Sequence, residues 1–177
     1  MKPRNRIFLD EKISIGKIII IKDKQAHYLI NVLRCKIKEK ILIFNDGEWL
    51  AEIVDIRSKA IELSIEKKTR DLLKQRSIKL YFSPLKRNPN EILIQKCTEI
   101  GVNIFQPIAM EHTNISKVNV DRLKLISLEA IEQSEQLTIP NISQTIGFKE
   151  FLKQIKNDEI IIACTVQCKN MSIEQII

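Results

Sequence analysis

The segment IKLYFSPLKRNPNEILIQKCTEIGVNIFQPI, residues 78–108, decides the fold. It opens with an apolar run over 78–83 that predicts a strand, and a loop with two prolines follows. Asn90 is predicted to cap the next helix, and Gly101 stands where a left-handed residue commonly ends a helix. A second apolar strand is predicted over 102–108. Strand, helix and strand in this order predict two parallel strands joined by a crossover helix.

The same alternation continues after residue 108. Asn119 or Asp121 is predicted to open a second helix that runs to about Leu137. Further strands are predicted over 142–146 and 159–165, with a helix over 148–155 between them and the start of another helix over 171–177. The pattern predicts an α/β sheet of about four parallel strands.

The residues before this alternation are rich in strand signals. The turn dipeptide Asp46-Gly47 separates two of the runs and predicts a hairpin. One helix interrupts the strands, and Asp23 is predicted to cap it. Strands are predicted over 6–9, 17–22, 40–45, 48–57 and 60–67, and the helix has an apolar stripe of Ala26, Leu29, Ile30 and Leu33. These signals predict a small barrel of about five strands and one helix.

The polar segment 67–76 separates the two patterns, so we expect a β-barrel over residues 1–72 and an α/β domain over 73–177. Charge divides in a similar way. Residues 1–76 carry 18 Lys and Arg against 11 Asp and Glu, whereas residues 77–177 carry 11 of each. The whole net charge of +7 therefore lies in the first part. This excess slightly favours a nucleic-acid partner over a merely solvated lysine-rich surface.

Several classes of protein are disfavoured by what the sequence lacks. Four isolated glycines among 177 residues leave no glycine-rich dinucleotide or phosphate loop. No apolar run approaches the roughly 18 residues that span a bilayer, and the N-terminus has no apolar signal-peptide core. The four cysteines show neither disulfide density nor zinc spacing. We therefore expect a reduced, cytosolic protein with inert thiols, no metal site and no membrane partner.

Few side chains offer catalytic chemistry. The two histidines, His27 and His112, fall in different predicted domains, so the sequence predicts no catalytic triad. Glu129, Glu132 and Glu135 share one helix, where an exposed acidic face is a simpler interpretation than an acid–base pair. No residue of the chain is therefore predicted to be catalytic.

Basic residues near the start of the α/β pattern suggest a binding role. Lys86 and Arg87 occupy the loop after its first strand, and Lys96 follows on the next helix. Lysines and arginines at such positions suit contacts with phosphates. A solvated loop is an equally good interpretation from the spacing alone.

Three ordered segments resemble the ribosomal RNA small-subunit methyltransferase E family, whose members methylate N3 of a uridine in 16S rRNA. The first segment is His27-Tyr-Leu-Ile-Asn-Val-Leu-Arg34, with Ile41-Leu-Ile-Phe44 and the Asp46-Gly47 turn. The second is Gln95-Lys-Cys-Thr-Glu-Ile-Gly-Val102 with Ile104-x-x-Pro107, similar to a K-x-x-E-L-G-V…P segment of the family. The third is Ala130-Ile-Glu-Gln-Ser134 with Pro140, similar to A-x-E-Q-S…P. Together they cover nearly the whole chain.

The resemblance implies a PUA-like barrel that helps to bind rRNA, followed by the first part of a SPOUT-type α/β domain. It also implies S-adenosyl-L-methionine as the cofactor, 16S rRNA of the small ribosomal subunit as the partner, and a homodimer. The RNA-binding residues implied on this chain are Arg34, Lys36, Lys86, Arg87 and Lys96. Residues that match family motifs are Glu99, Gly101, Glu132 and Gln133.

The chain departs from the family pattern in three respects. Gln136 stands where the family usually has arginine, and the loop 88–90 lacks a common basic residue. The glycine-rich segments that form the family's C-terminal knot and hold S-adenosylmethionine are also not found. We therefore expect either an rRNA methyltransferase chain truncated before the knot, which retains rRNA binding, or a catalytically inactive RNA-binding remnant. A weaker third hypothesis is an unrelated α/β enzyme on a basic barrel.

Overall fold

A computed structural model describes residues 3, 5–72, 76–111, 113, 117–155 and 160–162, except for the Arg87 side chain. The strands among these residues form two β-sheets. The first sheet contains β1 (Arg6–Phe8), β2 (Ile18–Lys22), β3 (Lys40–Phe44), β4 (Gly47–Arg57) and β5 (Ala60–Asp71). Its strand order is β1-β3-β4-β5-β2, with β1 parallel to β3 and every other neighbouring pair antiparallel. We call this part the barrel.

The barrel forms because its strands alternate between the core and the solvent. Along β5, Ile61, Leu63 and Ile65 are fully or almost fully buried, whereas the residues between them are partly exposed. The predicted half-buried strand is therefore confirmed, and it continues four residues beyond its predicted end to Asp71. The predicted hairpin at Asp46-Gly47 is also confirmed by the pairing of β3 with β4.

The helix of the barrel is α1 (Asp23–His27), which continues as a π-helical turn, Tyr28–Val32. Its predicted stripe is buried in the barrel core, where Ala26 and Leu29 are completely covered. The prediction that Asp23 caps this helix is wrong. Lys22 occupies the N-cap position without a side-chain bond, and Asp23 is the first helical residue with a left-handed φ of 55°.

The second sheet contains four short strands, β6 (Lys79–Phe82), β7 (Ile104–Ala109), β8 (Asn141–Ile142) and β9 (Ile146–Gly147). All its pairings are parallel, in the order β6-β7-β8, and β9 also pairs with β7. The single strand predicted over 142–146 is wrong, because β8 and β9 are separate. Between them the carbonyl of Gln144 accepts a hydrogen bond from the side chain of Gln106, 2.8 Å away, which takes the place of a backbone bond.

Three helices accompany this sheet: α2 (Arg87–Glu99), α3 (Val120–Ser134) and α4 (Phe148–Gln154). Helix α2 begins three residues before Asn90, so the predicted cap at Asn90 is wrong. Pro89 fits the first turn of α2, where its missing N–H has no intrahelical partner. Asn90 instead accepts from the Leu85 N–H at 2.9 Å and donates to the Leu85 carbonyl at 2.7 Å, which fastens the preceding loop.

The predicted ends of α2 and α3 are largely confirmed. Gly101 has a φ of +96° and follows Ile100, the C-cap residue of α2, as expected for a left-handed residue that ends a helix. Asn119 caps α3, because its side chain accepts from the Arg122 N–H at 3.0 Å. Helix α3 ends at Ser134, and Glu135 follows with a left-handed φ of 58°.

Some predicted features fall partly or wholly outside the described residues. The strand predicted over 159–165 is described only at 160–162, where it is wrong, because these residues pair with no strand and Ile160 is 87% exposed. His112, Cys164, Cys168 and the helix predicted over 171–177 lie outside the described residues.

Two of the cysteines lie in the described part of the chain. Burial raises the pKa of the thiols of Cys35 and Cys97, which disfavours the reactive thiolate. In the described part of the chain, no helix has the length and apolar character needed to cross a membrane.

Candidate nucleic-acid interface

A buried arginine fastens the barrel to the end of α3. The Nε of Arg6 donates to Glu48 Oε2 at 3.0 Å, and its Nη1 donates to the carbonyl of Ile131 at 2.8 Å. Its Nη2 donates to the carbonyl of Gln136, and the guanidinium lies 3.7 Å from the centre of the Phe44 ring. The cation therefore meets carbonyl oxygens at the C-terminal end of a helix, where positive charge is stabilising.

A second contact at this junction involves a family-motif residue. Glu132 Oε1 accepts from the backbone N–H of Phe8 at 3.0 Å, so the motif carboxylate is bonded to the first strand of the barrel. Burial raises the pKa of Glu132, although the Phe8 N–H and the charge of Arg6 oppose that effect. The expected acidic face on α3 is therefore wrong for Glu132, which is partly buried against the barrel.

An apolar cluster closes the junction. Phe44, Ile131 and Leu137 are buried together, with Phe8 and Leu128 packed against them. The C-terminal end of α3 is therefore held by charge, by hydrogen bonds and by apolar packing. Sequence reasoning missed the role of Arg6. Its only signal was an arginine inside a predicted apolar strand, a position that commonly requires a buried partner.

Four cavities lie one after another beside this junction, and neighbouring cavities share lining residues. The first, about 210 Å³, lies against the barrel and shares Tyr28 and Gln133 with the second, about 300 Å³. The second shares Gln95 and Ile126 with the third, about 260 Å³. The third shares Glu91 with the fourth, about 440 Å³. We call this row of neighbouring cavities the α2–α3 groove.

Helical spacing explains why these residues share one groove. The groove-lining residues include one stripe on α3, Arg122, Ile126, Glu129 and Gln133, and one stripe on α2, Asn88, Ile92 and Gln95. Both stripes repeat at steps of three or four residues, which places each on one face of its helix. At 1.5 Å per residue, the α3 stripe makes the groove roughly 16 Å long.

Of the basic residues predicted from the barrel, Arg34 is next in sequence to a residue that lines the first cavity. Arg34 follows Leu33, which lines that cavity, and Arg34 is exposed with a left-handed φ of 54°. Lys36 is also exposed, and its backbone N–H donates to Glu39 Oε2 at 2.9 Å. Both side chains are therefore exposed, and Arg34 lies beside a residue of the barrel end of the groove.

The basic residues predicted from the α/β domain do not all share one location. Lys86 is exposed at the N-cap position of α2, next to Leu85, which lines the fourth cavity. The side chain of Arg87 lies outside the described part of the structure. Lys96 pairs with Glu99 at 3.0 Å, and neither residue lines any of the four cavities.

Two further cations line the fourth cavity, and sequence reasoning did not single them out. Lys117 is exposed, and Arg122 donates from Nε to Glu91 Oε1 at 3.2 Å. This hydrogen bond raises the pKa of Arg122. The fourth cavity is therefore a mixed-charge site at the N-terminal ends of α2 and α3, whereas the second cavity has no lysine or arginine in its lining.

The remaining family-motif residues separate by role. Gly101 ends α2, and Glu99 combines an ion pair to Lys96 with a backbone carbonyl that accepts from Gln136 at 3.4 Å. Gln133 is exposed and lines both the first and the second cavity. Among the motif residues that the structure describes, Gln133 is therefore the exposed one that can contact a ligand in the groove.

The described residues do not fit S-adenosylmethionine. A backbone that closely approaches a bound nucleoside typically needs glycine, and no glycine lines the four cavities. An added Cβ would meet no atom within 4 Å at Gly16, Gly101 or Gly147, and at Gly47 it would meet only the barrel's own Lys68 and Arg70. Among the described residues there is also no cluster of potential metal ligands.

Family comparisons agree with the division of the fold. An RNA methyltransferase domain family matches residues 73–176, and an RNA methyltransferase PUA domain family matches residues 21–66. The ribosomal RNA small subunit methyltransferase E of Rickettsia conorii is 30% identical over 156 residues, which are 86% of this chain and 64% of that protein. A second such methyltransferase, from Borreliella burgdorferi, is 31% identical over 78% of this chain and 60% of its own length. The chain thus spans a little under two thirds of these curated relatives.

Solved structures share the fold. The ribosomal RNA small subunit methyltransferase E of Neisseria gonorrhoeae, solved with S-adenosylmethionine, gives a TM-score of 0.76 at 24% identity, over 89% of this chain and 67% of that one. A Legionella pneumophila protein solved with the same cofactor gives 0.77 at 22% identity, over 86% and 67%. The predicted PUA-like barrel and SPOUT-type α/β architecture are therefore confirmed. The chain belongs to the RNA methyltransferase family, and its resemblance to the ribosomal RNA small-subunit methyltransferases E is confirmed.

Proposed function

We propose that this chain binds 16S rRNA of the small ribosomal subunit in the cytoplasm, for S-adenosylmethionine-dependent methylation of N3 of a uridine. The observation that carries the proposal is the α2–α3 groove, which has exposed basic residues near both ends. Arg34 follows Leu33 of the first cavity and Lys36 is exposed two residues further on, whereas Lys117 lines the fourth cavity and Lys86 follows Leu85 of that cavity. Two basic clusters suit the phosphates of a strand that follows the groove.

The described residues are assigned RNA contacts and no step of methyl transfer. The reason is that they offer no site suited to S-adenosylmethionine, as the surroundings of the glycines and the linings of the cavities indicate. The same observation supports a second candidate function, RNA binding without catalysis. The two candidates differ in whether the purified chain transfers a methyl group.

RNA binding is tested by the salt dependence of the affinity for deproteinised 16S rRNA. Each phosphate contact that is lost should reduce the slope of log K against log salt by about one. We expect this reduction for Arg34→Ala, Lys36→Ala and Lys86→Ala. Lys59→Ala is the matched control, because Lys59 is exposed in the turn between β4 and β5 and lines none of the four cavities. Equal slopes for all variants would remove these residues from the RNA site.

Catalysis is tested with radiolabelled S-adenosylmethionine and small ribosomal subunits. Label in 16S rRNA that maps to N3 of a uridine would support the methyltransferase function. Calorimetry without cofactor binding and an assay without label, together with intact RNA affinity, would support the non-catalytic function. Light scattering on the same sample tests the homodimer that the family resemblance implies.

A further inference from the structure

We propose that the second cavity of the α2–α3 groove is a nucleobase pocket, in which Tyr28 stacks on an unpaired base and Gln95 and Gln133 bond its edge. This inference rests on the proposed RNA-binding function and gives it a specific site. None of these three side chains belongs to the predicted phosphate-contact set. All three line the second cavity, which measures about 300 Å³. This volume is at the lower end of the range of small-molecule pockets.

The chemistry of this cavity suits a base better than a phosphate. Its polar lining consists of Tyr28, Gln95, Glu129, Glu132 and Gln133, without a lysine or arginine. Carboxylates in that position repel a phosphate, whereas a neutral base offers N–H donors to them. Amide side chains present a donor and an acceptor together and therefore match the paired groups on a base edge.

The proposed contact groups are available. The side chains of Gln95 and Gln133 make no hydrogen bond to another described residue, and both are exposed. Tyr28 is 38% exposed and lines the cavity. Aromatic side chains that stay open beside a basic surface are the usual stacking platforms for single-stranded RNA.

The junction between the barrel and α3 holds these groups in place. Arg6 binds the carbonyls of Ile131 and Gln136, which lie on either side of Gln133 in the sequence. Tyr28 sits in the π-helical turn, where its carbonyl accepts from the Leu33 N–H at 2.9 Å. Both sides of the pocket are therefore part of the folded scaffold, which reduces the entropy lost when a ligand binds.

The surroundings favour a strand that passes through the groove. The exposed Arg34 follows Leu33 of the first cavity, and Lys117 and Arg122 line the fourth. A single strand can therefore place phosphates near both ends while one base enters the second cavity between them. The geometry assigns binding of the base, and no chemical step, to this cavity.

The test compares two RNA probes of equal charge on the full chain. One is a single-stranded oligouridylate, and the other is an abasic oligomer with the same number of phosphates. We expect the protein to bind the first more tightly by about fivefold or more, since base stacking contributes on this scale. Tyr28→Ala should remove this preference and leave the salt slope unchanged, whereas Tyr28→Phe should retain it.

Matched variants control for general effects. Phe148→Ala removes an aromatic side chain that is 42% exposed on α4, and Gln154→Ala removes an exposed amide at the end of α4. Neither lines the groove, so both should bind like the unmodified protein. Gln133→Ala should weaken oligouridylate severalfold without changing the affinity for the abasic oligomer. Thermal melts confirm that each variant is folded.

Two results would overturn the inference. If Tyr28→Ala and Gln133→Ala leave the preference for the base-bearing probe intact while Arg34→Ala still reduces the salt slope, the pocket fails and the proposed function stands. If octa-arginine binds the protein, and Tyr28→Ala abolishes the binding of octa-arginine but not that of RNA, the groove binds a basic peptide and not a base. If the unmodified protein binds none of the RNA probes, the proposed function itself is wrong.

Discussion

Arg6 and Glu48 form an ion pair of 3.0 Å in which the two side chains are only 5% and 2% exposed. Both residues belong to the barrel, Arg6 also donates to the Ile131 carbonyl of α3, and Glu48 also accepts from the Thr69 hydroxyl at 3.2 Å. Charges this well buried are stable only while each has its partners. The junction that positions Gln133 therefore depends on a charge pair formed by residues 42 positions apart in the sequence.

Removal of one member of this pair should destabilise the fold strongly. Glu48→Gln leaves the Arg6 guanidinium buried without its counter-charge, and such changes cost about 3–5 kcal/mol. Urea unfolding followed by the fluorescence of Trp49 measures the change. The control is Glu66→Gln, which affects the exposed pair with Lys40 and should change stability little. Similar effects of the two substitutions would contradict the importance of the buried pair.

Glu132 should make the protein less stable as the pH rises. Burial raises the pKa of its carboxyl in the folded state, so the folded protein binds more protons there than the unfolded chain does. Stability then falls as the pH climbs from the unfolded pKa, about 4.3, through the higher folded value. Glu132→Gln keeps an oxygen that can accept from Phe8 and removes the charge, so it should raise Tm at pH 7.

The measurement is a series of thermal melts between pH 4 and pH 8. Glu132→Gln should be more stable than the unmodified protein at the upper end and should lose part of the slope above the unfolded pKa. The exposed Glu129 on the same helix provides the control substitution, Glu129→Gln. A lower Tm for Glu132→Gln at pH 7 would show that the ionised carboxylate stabilises the junction.

A glycine at position 38 should stabilise the barrel. Lys38 has a left-handed φ of 68°, which costs a residue with a side chain roughly 1 kcal/mol. Lys38→Gly removes this strain and keeps the backbone bond from residue 38 to the Ile53 carbonyl at 2.8 Å. We expect the free energy of unfolding, measured with urea, to rise by about 0.5–1 kcal/mol. This figure already includes the loss that comes from the greater freedom of glycine in the unfolded chain.

The control for this substitution is Lys59→Gly in the turn between β4 and β5. Lys59 has no positive φ, so glycine relieves no strain there and only increases the entropy of the unfolded chain. Lys59→Gly should therefore be neutral or destabilising. An equal gain at both positions would mean that lost charge, and not backbone strain, explains the effect.

Asn90→Ala should affect both stability and RNA binding. It removes two hydrogen bonds to Leu85 from a buried side chain, which costs about 1–3 kcal/mol. The loop next to Lys86 then loses its attachment, so the affinity for RNA should fall at a temperature where the variant is still folded. Asn88→Ala, at an exposed position two residues earlier, should leave the stability nearly unchanged.

The parts of the fold that follow local patterns could be predicted from the sequence. The alternation of Ile61, Leu63 and Ile65 predicts one buried face of a strand, and Gly101 marks the end of α2 because few other residues accept its backbone angle. Asn90 shows the limit of such signals. Asparagine is a common helix cap, but Asn90 lies inside α2 and its side chain bonds to Leu85 in the preceding loop. Both arrangements satisfy the hydrogen-bonding groups of an asparagine side chain, so the residue type alone does not distinguish them.

The candidate site could be predicted only in part, because tertiary contacts decide it. Gln133 is named by the family motif, but its place in a groove depends on how α2 packs against α3. Arg6 finds its acceptor at Ile131, 125 residues away, and no local pattern contains that pairing. The carbonyl of Gln144, between β8 and β9, likewise accepts from a side chain of a neighbouring strand, Gln106, and no local pattern shows that bond.

The attachment of β1 to α3 sets an order of events during synthesis. The last barrel strand is complete at Asp71, whereas Arg6 reaches its final acceptor only when Gln136 has been made. At about 5–20 residues per second, the ribosome needs roughly 3–13 s for the intervening segment. During that interval the barrel can fold and pair Arg6 with Glu48, while the face that later receives α3 stays open to solvent. The junction between the barrel and α3, which shapes the groove, is therefore completed late. By then the barrel has had time to fold around its own core.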